Sequence, residues 1–273
     1  MSRSCYQGVL QFLGTGPSTG VPVVGCRCSV CVSDDPRNHR LRSSVRVCVG
    51  EKLILIDASP DFRQQALKYH ITMPDALCIT HTHYDHIGGL EELRVFNFQK
   101  KKAVPCFLSD ASFLSVQKLF YYHFSSRKEQ ESFAAEMDFH VLSSEQGTLS
   151  LDEIDLSYFS YWHGSMPVTG WRIGELGYVT DIKQYDPVVF EALSDIEVLI
   201  IGVSCFGASR TQMTIEEALE FREKVGAKRT YFTHLSHDID YARASAMLPE
   251  DIRLAYDGLE VQFMVEGDEK RKG

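Results

Sequence analysis

The tightest constraint on this chain lies where the apolar run Ala76-Leu77-Cys78-Ile79-Thr80 gives way to His81-Thr82-His83-Tyr84-Asp85-His86. A strand must end where the imidazoles begin, so the fold has to place three imidazoles and a carboxylate together at one strand exit. Imidazole and carboxylate suit a borderline divalent ion such as zinc or manganese. His81 and His83 in an extended turn can send both rings to one ion, while Asp85 and His86 turn toward a second nearby. Gly88-Gly89 lets the backbone fold tightly before a helix expected to begin near Leu90. The competing reading is a solvated, histidine-rich loop. Three of the chain's ten histidines in six positions weigh against it.

A two-metal site needs further ligands, and strands ending in His or Asp are where to seek them. Leu156 to Tyr161 alternates and runs into Trp162-His163-Gly164, Gly177-Tyr178-Val179-Thr180 runs into Asp181, and Thr230-Tyr231-Phe232-Thr233 runs into His234. In α/β architectures ligand sites gather at the carboxyl edge of the strands. Each of these is weak alone, because a single histidine beside a strand is more often a satisfied structural residue. With the 81–86 loop they form a consistent set.

The order HxHxDH, then His, then Asp, then His resembles the metallo-β-lactamase fold hydrolases, from about Leu10 to Tyr256. The resemblance implies an α/β (α+β) fold, a four-layer αββα sandwich of two mixed sheets packed face to face with helices outside. It also implies two catalytic ions with a hydroxide between them. His81, His83 and His163 would hold one, Asp85, His86 and His234 the other, and Asp181 would bridge. Asp85 and Asp181 would be the catalytic carboxylates, Asp181 fixing the inter-metal distance and Asp85 holding the nucleophile's proton.

A second cluster narrows the branch. Cys26-Arg27-Cys28-Ser29-Val30-Cys31 brings three thiols close enough to grip one zinc, and a structural site normally has a fourth protein ligand. His237, in Thr233-His234-Leu235-Ser236-His237, is expected to supply it, so that one short loop serves both centres. Reduced cysteines without metal are the alternative. Cys5, Cys48, Cys78, Cys106 and Cys205 stand singly and read as small core residues. Together with Phe12-Leu13-Gly14-Thr15-Gly16 and Gly20-Val21-Pro22, the cluster is similar to that of the PhnP family, phosphodiesterases that hydrolyse cyclic ribose phosphates. In that family the cysteines and the second histidine of HxxH bind structural zinc. A relative with similar cysteines, PqqB, has an altered metal loop, whereas the loop here is intact. One position departs: Gln212 stands where that family carries a histidine against substrate phosphate. Glutamine donates a hydrogen bond but carries no proton at neutral pH. Leaving-group protonation then falls to Asp85, to another residue such as Arg210, or to water.

Phosphodiester hydrolysis of a small, cyclic or linear, substrate ranks first. Thioester or lactone cleavage, RNase Z-like tRNA processing, and a non-enzymatic assembly partner are the alternatives. The net charge of −9 weighs against avid nucleic-acid binding. Lys100-Lys101-Lys102 and Arg37, Arg40, Arg42 and Arg46 are read as solvated. Residues 1–273 show no linker or repeat, which favours one domain. No signal peptide or membrane-length apolar stretch is evident, and eight cysteines in that context imply thiols and metal, so a cytoplasmic protein is expected. The family resemblance implies a homodimer. Ser44 to Val49 and Leu53 to Asp57 read as a hairpin, and Glu197 to Val203 as a buried strand. Ser59 and Pro60 read as the start of a helix over Asp61–Tyr69. Thr214-Ile215-Glu216-Glu217 reads as a capping box opening a helix that buries Ile215, Ala218, Leu219 and Val225 and stops at Gly226. Phe113 to Phe133 reads as helical packing.

Overall fold

The computed structural model describes residues 3–124 and 134–268. The first sheet contains β1 (Arg3–Gly14), β2 (Ser44–Val49), β3 (Lys52–Ile56), β4 (Ala76–Cys78), β5 (Val104–Ser109) and β6 (Met137–Leu142). The second contains β7 (Gln146–Leu151), β8 (Ile154–His163), β9 (Met166–Ile173), β10 (Leu176–Val179), β11 (Val198–Gly202), β12 (Arg229–Thr233) and β13 (Ile252–Leu254). The last strand, β14 (Glu260–Asp268), returns to the first sheet and pairs antiparallel with β1. Both sheets are mixed in the same way. β1, β2 and β3 are antiparallel neighbours and β3 to β6 run parallel. Likewise β7 to β10 are antiparallel and β10 to β13 parallel. The parallel strands of each sheet place their carboxyl ends on one rim, where the ligand residues lie.

Alternation along each strand builds the layers. On β3, Ile54 and Ile56 face the second sheet while Leu55 faces outward. On β11, Val198 and Ile200 face inward while Leu199 and Ile201 face outward. The inner faces meet in a core that includes Phe12, Val47, Trp171, Tyr178 and Phe263. Each large side chain so buried contributes about 1.5–3 kcal/mol. Helices α1 (Phe62–Lys68), α2 (Tyr84–Ile87), α3 (Arg94–Lys100) and α4 (Asp110–Leu119) belong to the first half, and Phe62, Ile87, Phe96 and Val116 pack on the outer face of its sheet. Helices α5 (Val188–Ala192), α6 (Ile215–Val225) and α7 (Tyr241–Ser245) cover the second through Val189, Phe221 and Ala244. The αββα sandwich is therefore present.

The hairpin of β2 and β3 and the buried β11 fall where the sequence puts them. So does α6, whose Thr214–Glu217 capping box is formed and whose C-cap Gly226 has φ 75°. The helix after Ser59 runs from Phe62 to Lys68 between the caps Asp61 and Tyr69, as expected, with the Asp61 carboxylate held by Arg42. The cysteine expectation needs correction: Cys78 and Cys106 are buried, Cys48 and Cys205 are half-buried and Cys5 is exposed. Of the aromatic segment, residues 113–124 form the end of α4 and a 3-10 turn, and residues 125–133 lie outside the described residues. Among the described residues no helix is long and apolar enough to cross a membrane.

Candidate metal centres

The ligand candidates sit at the end of a strand or a few residues beyond one, and left-handed turns present two of them, Asp181 and His234, as well as the neighbouring Asp57. Asp57, Asp181 and His234 follow β3, β10 and β12 with φ of 63°, 53° and 61°. Non-glycine residues in the left-handed region are uncommon and cluster where function demands a sharp turn. Here the turn aims each side chain back across the sheet rim. Between β4 and α2, His81 to His83 remain extended, and Asp85 and His86 project from the single turn of α2. Gly89 makes this loop possible by close approach: a Cβ there would lie 2.1 Å from Ser59 O. Beyond it the chain forms a 3-10 turn at Leu90–Leu93 that runs into α3, where a helix is expected.

The structure brings all seven predicted ligands together. His81 Nε2 lies 3.0 Å from His83 Nδ1, and the His163 ring stands 5.1 Å from His83 and 6.1 Å from His81. His86 Nε2 is 3.3 Å from Asp85 Oδ2 and 3.2 Å from Asp181 Oδ2. His234 Nε2 is 3.4 Å from Asp85 Oδ2 and 3.5 Å from Asp181 Oδ1. Asp181 thus faces the His86 side with one oxygen and the His234 side with the other. Behind these ligands stand groups that fix ring orientation. His86 Nδ1 donates to Asp57 Oδ2 at 2.6 Å, which leaves Nε2 free to face the cluster. His163 Nδ1 lies 3.1 Å from the Asp181 carbonyl.

Asp57 is the functional residue missed in reading the sequence. It is fully buried, accepts from Thr80 N and Thr80 Oγ1 as well as His86, and contributes no atom to the cluster itself. The rule that a strand ends in His or Asp would have found it at the end of β3. Gln212, expected against substrate, instead rests its amide on the ligands: Nε2 donates to Asp181 Oδ1 and lies 3.2 Å from His234 Nδ1. If His234 gives Nε2 to an ion, Nδ1 carries the proton and needs an acceptor. The amide nitrogen cannot accept that proton, and turning the amide would set its oxygen against Asp181 Oδ1, so Gln212 would have to shift when an ion binds at His234.

The electrostatics fit an ion. His86 is raised well above the ordinary histidine value, because Asp57 and Asp181 outweigh its burial. Asp181 is held well below the usual carboxylate range, with burial opposed by the charges of His234 and His86. Burial pushes Asp85 upward, but hydrogen bonds from His234 and His86 prevail and leave it strongly lowered. His81 and His83 are pushed down by burial and stay neutral. Anionic carboxylates thus face buried imidazoles, and His86 Nε2 is buried without a hydrogen-bond partner. That unsatisfied nitrogen among carboxylate oxygens is the donor set of a divalent cation.

A second cluster lies in the loop after β1. Cys26, Cys28 and Cys31 place their sulfurs 3.4, 3.6 and 3.4 Å from His237 Nδ1. Four donors converging at this spacing suit tetrahedral zinc. The Cys31 backbone N–H lowers the Cys28 thiol to about 6, which favours the thiolate that zinc requires. His234 and His237 face different centres from one strap, as expected.

An αββα sandwich with clustered His and Asp at the rim and a thiolate loop beside it defines a metal-binding hydrolase architecture. The family model of the β-lactamase superfamily domain matches residues 52–235, which include all seven candidate ligands. The chain belongs to this superfamily of metallo-β-lactamase fold hydrolases. It is similar to a solved diphosphatase of the PhnP family, with 33% identity and a TM-score of 0.88 over 96% of this chain and 99% of that one. Zinc-bound PqqB from Methylobacterium extorquens shares the fold, with 19% identity and a TM-score of 0.74 over 93% and 99% of the two chains. Among curated proteins, an octanoyltransferase of Porphyromonas gingivalis is 34% identical over 251 residues, 91% of this chain and 50% of that protein. Coenzyme PQQ synthesis protein B of Methylorubrum populi is 38% identical over 96 residues, 30% of this chain and 32% of that protein. The chain spans about half the length of the first curated relative and a third of the second.

Proposed function

We propose that the chain is a binuclear metal-dependent phosphodiesterase acting on small, including cyclic, phosphodiesters. The observation that carries this reading is the ring of His81, His83, His163, Asp85, His86 and His234 around Asp181, whose Oδ1 lies 3.9 Å from His163 Nδ1 of one set and whose Oδ2 lies 3.2 Å from His86 Nε2 of the other. Similarity to a diphosphatase of the PhnP family supports phosphorus chemistry over other ester cleavage. Two divalent ions held here supply Lewis acidity toward a phosphoryl oxygen and lower the pKa of water to near neutrality. The residues of the chain do the rest. His81, His83 and His163 would hold one ion and Asp85, His86 and His234 the other, with Asp181 between the two sets. Asp57 holds His86 in the tautomer that presents Nε2. Asp85, kept anionic by its neighbours, is a hydrogen-bond acceptor for the nucleophile and a poor acid. Gln212 has no proton to give, so the leaving alkoxide takes its proton from solvent. The thiolate cluster is assigned a structural zinc.

A second reading, thioester hydrolysis, is favoured by the similarity to a protein named octanoyltransferase. One experiment separates the two: metal content by plasma mass spectrometry, with turnover of bis-p-nitrophenyl phosphate and of an octanoyl thioester in added manganese or zinc. Three metals per chain with metal-dependent cleavage of the phosphodiester supports the proposal. Cleavage of the thioester alone installs the second reading, and no turnover of either removes both.

A further inference from the structure

Arg40 was expected among solvated arginines, and it is 1% exposed. Its guanidinium is spent almost wholly on one strap of backbone. Nη1 donates to Leu235 O at 3.2 Å and Ser236 O at 2.8 Å, and Nη2 donates to Ile239 O at 2.7 Å. Nη2 also meets Asn38 Oδ1 at 3.0 Å, and Nε meets Arg37 O at 3.2 Å. Every one of these acceptors is a neutral oxygen. Burying a guanidinium on neutral acceptors is costly unless opposite charge lies close by.

The strap it holds is the one that carries both metal centres. Leu235 and Ser236 are the two residues between His234, at the catalytic cluster, and His237, at the thiolate cluster. The backbone of Arg40 is tied to the cysteine loop as well. Arg40 N donates to Val21 O at 2.7 Å and Val21 N donates to Arg40 O at 2.9 Å, while Val21 packs with Val30 and Cys31. Leu235 N donates to Thr15 O at 2.8 Å, which closes the strap against the same loop. Countercharge for the guanidinium comes from beyond its direct partners: Asp257 and Asp240 lie close enough to favour the cation, and a zinc held by three thiolates and one neutral imidazole would add a net negative charge. Burial lowers Arg40 only to about 10, so it remains a cation at neutral pH.

Resting on the assignment of both clusters as metal centres, we propose that Arg40 is a positioning residue that couples them. By fixing the carbonyls of Leu235, Ser236 and Ile239, it makes loading of the thiolate site set the position of His234 and hence the metal affinity of the catalytic site. His234 holds a left-handed backbone, φ 61°, and such a conformation persists only where its surroundings impose it. Arg40, a His237 held by zinc and the Leu235 N to Thr15 O bond would be the clamps that do so.

The test reads metal affinity as well as turnover. Cobalt(II)-substituted protein is used, since thiolate-to-cobalt charge transfer reports the cysteine site and visible d–d bands report both. Chelator competition then gives the affinity of the catalytic site in wild type, Arg40→Lys, Arg40→Met and Cys28→Ser. The expected result is that each variant loosens the catalytic ion by roughly 10-fold or more, the scale of losing an outer-shell partner of a metal ligand. Arg40→Lys should fail to rescue, because an ammonium cannot span three carbonyls with a planar fork. If Arg40 only stabilised the fold, the folded variants would melt earlier and bind the catalytic ion as wild type does. Affinity within about twofold of wild type, in either Arg40 variant or in Cys28→Ser after loss of its charge-transfer band, overturns the coupling. Should Arg40→Met not fold, Arg40→Lys and Cys28→Ser decide. A protein that binds all its metals and cleaves no phosphodiester would remove the proposed function and leave this inference standing.

Discussion

Asp57 holds no candidate metal position, yet it governs how tightly an ion can be held at His86. Its carboxylate fixes the Nδ1 proton of His86 at 2.6 Å, and two donors from Thr80 keep it in place. Asp57→Asn keeps the shape but removes the charge and sets an amide NH2 against a donor, so the metal-free protein should melt earlier and the catalytic ion should bind roughly 10- to 100-fold more weakly. Metal titration of the variant checks this, and unchanged affinity would show that His86 needs no anionic partner. Proton linkage offers a separate test. His86 is raised well above 6.5 in the metal-free protein, so an entering ion must displace a proton from it. Affinity should therefore fall as pH drops and keep rising with pH above neutrality until the raised value is passed. Calorimetry in buffers of different ionisation enthalpy would detect the released proton, and a pH-independent affinity across 6 to 8 would contradict the assignment. At this scale the sequence disclosed the ligands but hid their supports. His81, His83 and His86 announce themselves because three imidazoles in six residues have few other uses. Arg40 gives no such signal, for its burial comes from the carbonyls of Leu235, Ser236 and Ile239, about two hundred positions away.

The elements that carry ligands were legible because each is an apolar strand that stops at a polar side chain. β4, β8, β10 and β12 all fit that description, and α6 is bracketed by a capping box and a left-handed glycine. Elements set by long-range partners were not. Nothing in the sequence says that the Asp61 carboxylate before α1 is claimed by Arg42, and the single turn of α2 is too short to leave a periodicity. Contacts between strand exits are equally silent in the sequence. Gly202, at the end of β11, would place a Cβ 2.9 Å from Asp181 N and 3.2 Å from Thr180 Oγ1, the hydroxyl that donates to Asp181 Oδ2 at 2.7 Å. Gly202→Ala must therefore push the turn that presents Asp181. Overpacking of this kind costs about 1–3 kcal/mol. Both a lower melting temperature and fewer than two catalytic metals per chain are expected. Full metal content at wild-type stability would mean that the turn yields without moving its carboxylate.

Across the whole molecule, the catalytic cluster sits where the two halves meet. His81, His83, Asp85 and His86 leave the first sheet, and His163, Asp181 and His234 leave the second. The thiolate cluster repeats the arrangement, joining Cys26, Cys28 and Cys31 after β1 to His237 after β12. The halves are also joined by the core between the sheets and by β14, which carries Val261, Phe263 and Val265 back across to β1. Metal therefore acts as a cross-link between parts that already adhere, and its removal should weaken the fold without abolishing it. An ion at 100 times its dissociation constant adds about 2.7 kcal/mol. For a chain of this size each kcal/mol moves the melting temperature by about 2–4 °C. Each catalytic ion held in this way should then raise the melting point by roughly 5–10 °C over chelated protein, in one cooperative transition. His83→Ala, which leaves both carboxylates in place, should abolish turnover and lose only part of that rise. If chelation instead split the melting curve in two, the halves would be separable units held together by metal, and the core between the sheets would count for less than its buried side chains imply.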